Sequence, residues 1–251
     1  MLTQEESRRF DEQGYLVFRQ LATPAECEEM RGVVASHLAA GVAPVEYEAE
    51  VGYPGAPASL DAPGGRTIRR LRSAFQRHPV FSAWAGDARI VGRLRPLFGE
   101  PVVLTLAHHN CVMTKHPRFG TATGWHRDIR YWAFERSDLV SVWLALGDEV
   151  EGNGALRVIP GSHRLTLRPG QLDELDFLRP DVPENQPLFA QGVTVELRKG
   201  DVLFFHSRLF HAAGRNESGD VKMSAVFAYH GAGNRPLAGS RSAAAGGVAL
   251  G

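Results

Sequence analysis

The residues best equipped for chemistry lie in Thr123-Gly124-Trp125-His126-Arg127-Asp128-Ile129-Arg130-Tyr131-Trp132, where a histidine and an aspartate stand two residues apart. On an extended strand, residues i and i+2 share a face. His126 and Asp128 then aim an imidazole and a carboxylate at one point, and Arg127 turns away. Two such ligands hold a metal poorly, so a third is expected from elsewhere. The segment from Lys199 to His211 offers His206 and His211, and spacing does not choose between them. Two histidines and one carboxylate on one side of a metal, with the other side open, form the ligand set of non-haem iron(II) oxygenases. A single His-x-Asp is more often a hydrogen-bonded pair than a metal site, so the weight falls on the rest of the chain.

The elements that must position these residues change in kind along the chain. Thr3 with Glu6, and Thr23-Pro24 with Glu26, have the form of helix-opening capping boxes, and Gly14 suits a helix end. A short strand, Tyr15–Phe18, falls between the two helices. Residues 41–65 are broken by Gly52, Pro54, Gly55, Pro57, Pro63, Gly64 and Gly65 and read as a surface loop beside the site. The basic run Arg66, Arg69, Arg70, Arg72 and Arg77 reads as a solvated helix face, with an anion-binding rim as the alternative. A further helix is expected over Phe81–Phe98.

From residue 101 the pattern alternates. Strands are expected at Val102–Ala107, Asn110–Lys115, Leu139–Leu146, Ala155–Ile159, Val193–Leu197, Val202–Phe205 and Met223–Tyr229, with short ones at His126 and His211. Many short strands without helices between them imply a sandwich or barrel, and a jelly roll is one way to close it. Arg164–Gly192 is too long for a hairpin and reads as an excursion that shelters the site. The expected organisation is one domain over 1–231, helical to residue 100 and jelly-roll from 101, followed by a flexible tail over 232–251.

Composition bounds the function. The 251 residues are 43% hydrophobic and 22% charged, with a formal net charge of zero, which gives no support to a nucleic-acid partner. Two cysteines, Cys27 and Cys111, make neither a disulfide framework nor a C-x-x-C site. The start Met1–Glu6 is polar and acidic, unlike a signal peptide, and no apolar run reaches the roughly 18 residues of a membrane span. A reducing, cytoplasmic location is expected, with no membrane contact and no obligate protein partner.

An ordered set of motifs then acquires meaning together. Lys115 is followed by Trp125-His126-Arg127-Asp128, by Ser141-Val142-Trp143-Leu144-Ala145-Leu146, by Asn153-Gly154-Ala155-Leu156 with Ile159-Pro160-Gly161-Ser162-His163, and by Gly200-Asp201-Val202 with His211 and Asn216. From Phe10 to about Tyr229 the chain resembles the phytanoyl-CoA dioxygenase family of Fe(II)- and 2-oxoglutarate-dependent oxygenases. The resemblance implies a mostly β fold with flanking helices, a double-stranded β-helix of the jelly-roll, cupin-like type. It implies His126, Asp128 and His211 as the metal and catalytic residues, and leaves His206 and His163 as structural. It implies Fe(II) and 2-oxoglutarate as cofactors, with ascorbate as an accessory reductant.

The cation that meets the distal carboxylate of 2-oxoglutarate falls at Lys222, eleven residues beyond His211, where the family usually has arginine. Lysine carries the charge without the planar fork. Ser224 or Thr114 is expected to assist, Arg215 is a weaker substitute, and Lys115 and Trp143 match positions near the same cofactor. Arg130, Tyr131 and Trp132 follow the ligands where family members meet substrate. The implied reaction consumes O2, releases succinate and CO2 and hydroxylates a small molecule; Asp128 argues against halogenation. The alternatives are epimerisation or cyclisation by the same oxidation, a cupin-like isomerase or lyase without 2-oxoglutarate, and a metal-holding module without catalysis.

Overall fold

Both capping boxes form. The structure, a computed structural model, describes residues 1–251. Helix α1 (Gln4–Gln13) opens with Thr3 and Glu6 bonded to each other's backbone and ends at Gly14, which takes φ 78°. After β1 (Tyr15–Phe18), α2 (Pro24–Ala40) opens the same way on Thr23 and Glu26. Thr23→Ala removes an acceptor for the Glu26 backbone N–H. It is expected to cost about 1 kcal/mol, read as a lowered urea midpoint at unchanged slope.

The loop after α2 contains a short strand, β2 (Val45–Tyr47), and the basic run is strand β3 (Ile68–Arg72) rather than a helix. Helices α3 (Ala74–Arg77), α4 (Pro79–Ala85) and α5 (Ala88–Phe98) follow. The expected single helix over Phe81–Phe98 is two, because Asp87 caps a new start with its side chain on the Arg89 N–H.

The β region comprises β4 (Val102–Lys115), β5 (Thr123–His126), β6 (Leu139–Ala145), β7 (Leu156–Val158), β8 (Val193–Thr194), β9 (Val202–His206), β10 (His211–Ala213) and β11 (Lys222–Gly231). The two strands expected between Val102 and Lys115 are one. Its register on β11 jumps from Asn110 to Thr105, so Leu106–His109 bulge out, with His108 at φ 58°. The excursion before β8 holds a short helix, α6 (Gln186–Ala190). The C-terminal stretch does not fray: α7 (Arg241–Ala245) leads into β12 (Gly247–Leu250), which pairs with Val102–Thr105 of β4.

The strands make two antiparallel sheets that face each other as a jelly roll. The larger runs β1-β9-β6-β11-β4-β3-β2 with β12 added on β4, and the smaller runs β5-β10-β7-β8. Alternation decides what each face buries. On β6, Val140, Val142 and Leu144 join the main core under the helices, with Phe10, Met30, Phe81 and Leu94. Trp143 and Ala145 point the other way, into a second core shared with Leu156 and Val158 of the smaller sheet. The inner face of the large sheet is therefore the wall of the barrel, and inward positions on β4, β6 and β11 are Lys115, Trp143 and Lys222. No helix is long and apolar enough to cross a membrane.

Candidate metal centre

His126 ends β5 and His211 opens β10, and the two residues are direct partners across that strand pair. Their rings lie 4.2 Å apart between centroids. Each ring is held by its own chain: His126 Nδ1 lies 2.9 Å from the Gly124 carbonyl and His211 Nδ1 3.0 Å from the Leu209 carbonyl. A carbonyl only accepts, so in both neutral rings Nδ1 carries the proton and Nε2 presents a bare lone pair. Such a bond to the far nitrogen is how metal-binding imidazoles are oriented.

Asp128 is not on the strand with His126. It starts a 3-10 turn, Asp128–Tyr131, and the turn brings its carboxylate back toward both rings. Asp128 Oδ1 lies 3.4 Å from His211 Nε2 and 3.7 Å from His126 Nε2. That oxygen is buried without a hydrogen-bond partner. The other oxygen accepts from the Ser141 hydroxyl at 3.4 Å, and His109 Nδ1 lies equally near. One ligand atom from each of His126, Asp128 and His211 falls within a 4.8 Å cluster. Arg127 turns out over Phe210, as the alternation predicts.

Electrostatics suit cation binding. Burial pushes His126 down to about 3, so it stays neutral at ordinary pH. Burial also opposes charge on Asp128, but His109, His211 and His126 around it hold its pKa well below the usual carboxylate range. For His211 burial acts downward, and the carboxylate of Asp128 outweighs it and raises the ring.

The other histidines fall outside this cluster. His206 Nδ1 accepts from the Arg208 N–H, and burial pushes the ring down to about 3. His163 packs near His206 and bonds the Asp11 carbonyl. His108 stacks on Tyr131 at 3.6 Å, and His109 holds Ser141 at 3.0 Å.

A cavity opens beside the triad, lined by Tyr53, Arg69, Arg70, Met113, Thr114, Lys115, Trp143, Leu156 and Lys222 among others. Arg130, Tyr131 and Trp132, expected at the substrate, are not among the residues that line this cavity. Trp132 is buried and donates its indole N–H to the Ala107 carbonyl. Tyr131 bonds Tyr53 through the two hydroxyls, 2.8 Å apart, and Arg130 lies over the Tyr131 and Phe177 rings. Phe177, from the excursion, packs 5.4 Å from His126 between centroids, so the excursion does cover the site.

The expected cofactor-binding side chains are spoken for in part. Lys222 Nζ donates to Glu149 Oε2 at 2.9 Å. Trp143 Nε1 and the Ser224 hydroxyl donate to Glu149 Oε1 at 2.9 and 2.5 Å. Thr114 donates to the Ile68 carbonyl, and Arg215 lines a different depression. Lys115 stands directly opposite Lys222 across β4 and β11 and donates to the Gly214 carbonyl at 2.5 Å. Burial, and then the neighbouring Lys222 and Arg69, push its ammonium down to about 7.

Sequence reasoning missed Glu149, and missed that two members of the basic run, Arg69 and Arg70, turn inward while Arg66 and Arg72 stay exposed. Arg69 pairs with Glu48 at 3.1 Å, and Arg70 and Arg72 pair with Glu46. The signal for Glu149 was Lys222 itself: a buried cation where arginine is usual calls for a nearby acid.

The phytanoyl-CoA dioxygenase (PhyH) family model matches residues 10–224. Human peroxisomal phytanoyl-CoA dioxygenase is 26% identical over 229 residues, covering 87% of this chain and 65% of the human protein. The chain thus spans about two thirds of that relative's length. Among solved structures, EctD from S. alaskensis with 2-oxoglutarate and 5-hydroxyectoine superposes with a TM-score of 0.77 at 22% identity, over 94% of this chain and 78% of that one. The 2-oxoglutarate-dependent carbocyclase SnoK of nogalamycin biosynthesis gives 0.72 at 22% identity, over 96% and 88%. With a family model spanning most of its length and the jelly roll of those structures, the chain belongs to the phytanoyl-CoA dioxygenase family.

Proposed function

We propose that this protein is an iron(II)-dependent oxygenase that uses a 2-oxo acid, in this family 2-oxoglutarate, to hydroxylate a small molecule with O2. The observation that carries the reading is the set of two bare imidazole Nε2 atoms and one unpartnered carboxylate oxygen converging at one edge of a cavity. Those donors fit a divalent first-row metal with open positions. Bound iron supplies oxygen activation.

The chain's own residues do the rest. Gly124 and Leu209 carbonyls fix the ring orientations, and Ser141 holds the second oxygen of Asp128. Trp143 and Leu156 give the cavity apolar wall that limits water, and Phe177 covers His126. A reducing, cytoplasmic location is part of the same proposal, and the free, buried thiols of Cys27 and Cys111 are compatible with it.

The two ends of 2-oxoglutarate fare differently here. The cavity beside the triad has room for the keto-acid end. At the distal end, the three donors of Lys222, Trp143 and Ser224 already hold Glu149, and no step is assigned to them. That capture is the one observation favouring the second reading, a cupin-like isomerase or lyase that takes no oxo acid. Epimerisation or cyclisation, the latter being the chemistry of the carbocyclase SnoK, would use the same centre.

Anaerobic titration separates the readings. Adding millimolar 2-oxoglutarate to the Fe(II) protein is expected to give the weak visible band of a chelated oxo acid, and admitting O2 to yield succinate. Iron bound at full occupancy with no spectral change on adding any 2-oxo acid would leave the cupin-like reading standing instead.

A further inference from the structure

Glu149 takes no part in the metal cluster, yet it gathers three of the side chains expected at the co-substrate's far end, Lys222, Trp143 and Ser224. It is fully buried. Its backbone is locked as well, with its N–H donated to the Leu197 carbonyl at 2.7 Å and its carbonyl accepting from Leu197 at 3.0 Å. The side chain therefore is not a mobile surface group that steps aside without cost. Lys222 meanwhile lies over the Trp143 ring at 5.0 Å, and both residues line the cavity.

A second carboxylate arriving at Lys222 would meet a neutral pair, with a like charge just behind the ammonium. The attraction to a lone buried cation is replaced by that to a dipole, and the two carboxylates repel in a medium that screens poorly. Lys115 restores that charge only in part. It faces Lys222 across the strands, donates to the backbone carbonyls of Ala213 and Gly214, and burial, then Lys222 and Arg69, push its ammonium down to about 7.

We infer that Glu149 is a built-in rival for the distal carboxylate of the oxo-acid co-substrate, so that this enzyme distinguishes 2-oxoglutarate only weakly from a 2-oxo monocarboxylate of the same chain length. Glu149 is thus a specificity-determining residue, and its effect runs through Lys222. The inference rests on the oxygenase reading given above.

The test compares 2-oxoglutarate with 2-oxopentanoate, each titrated anaerobically into the Fe(II) protein and followed by calorimetry. The wild type should bind the two with similar affinity. Glu149→Gln keeps the shape and the acceptor for Trp143 while releasing Lys222, and should make 2-oxoglutarate the tighter ligand by roughly ten- to a hundredfold, the worth of one charge-assisted hydrogen bond. Adding Lys222→Met to Glu149→Gln should erase that gain. A wild type that already prefers 2-oxoglutarate tenfold or more, with the preference unmoved by Glu149→Gln, overturns the inference and leaves the oxygenase reading intact. Failure of both acids to bind in both proteins, with iron in place, removes the oxygenase reading and the inference together. Should Glu149→Gln not fold, the wild-type ratio decides alone: parity of the two acids supports the inference, and a tenfold preference lost in Lys222→Met overturns it.

Discussion

His211→Ala, His126→Ala and Asp128→Ala are each expected to lose more than about a hundredfold in iron affinity, beyond the ten- to hundredfold of removing a hydrogen-bond partner behind a ligand. The three atoms sit in one cluster, and two remaining donors cannot hold the ion on one side. Folding should survive. Asp128 Oδ1 makes no hydrogen bond that its removal would break, and burial already keeps His126 neutral. His206→Ala is the internal control, because its ring serves the Arg208 N–H and lies outside the cluster. Metal analysis after desalting, beside circular dichroism, gives the answer. Iron retained by His211→Ala but stripped from His206→Ala would mean that the third ligand is misassigned.

The second large effect concerns stability. Glu48→Ala should destabilise the protein by about 3–5 kcal/mol, the range for breaking a buried ion pair from one side. Arg69 and Glu48 are 3% and 1% exposed and 3.1 Å apart, so neither is screened by water. Arg69 also donates to the Thr121 carbonyl and the Thr123 hydroxyl, while Glu48 accepts from the Thr121 N–H. The pair therefore ties the loop before β3 to the approach to β5. Removing the carboxylate strands a guanidinium that cannot give up its proton. Glu48→Gln should fall between wild type and Glu48→Ala in urea unfolding. A loss under 1 kcal/mol for Glu48→Ala would show that the guanidinium reaches solvent.

Much of this was legible because it is local. Thr3/Glu6 and Thr23/Glu26 announce helices through a four-residue pattern that needs no tertiary context. The apolar, β-branched run Leu139–Leu146 announces a strand, whereas the division of its side chains between the two cores appears only in the folded barrel. The His-x-Asp spacing pointed to the site, though through the wrong local geometry: a 3-10 turn, not a strand, aims Asp128. What stayed hidden was pairing at long range. Arg69 and Arg70 looked solvated because their acids, Glu48 and Glu46, lie more than twenty residues upstream in a loop broken by glycine and proline. Glu149 sits 73 residues from Lys222, and nothing local marks it as a core residue. The tail was misread because a Gly/Ala-rich composition cannot reveal that β4 offers it an open strand edge.

The strand pairings also carry a consequence for how the molecule comes into being. Tyr15 pairs with Phe205, His126 with His211, and Lys115 with Lys222. Neighbours in space come from distant parts of the chain, and topologies of this kind fold slowly because large loops must close before any contact repays them. A chain growing from the ribosome has His126 and Asp128 long before it has His211. Its central strand β11 arrives still later. The metal centre can therefore be completed only after most of the chain has emerged, because its third ligand arrives near the end.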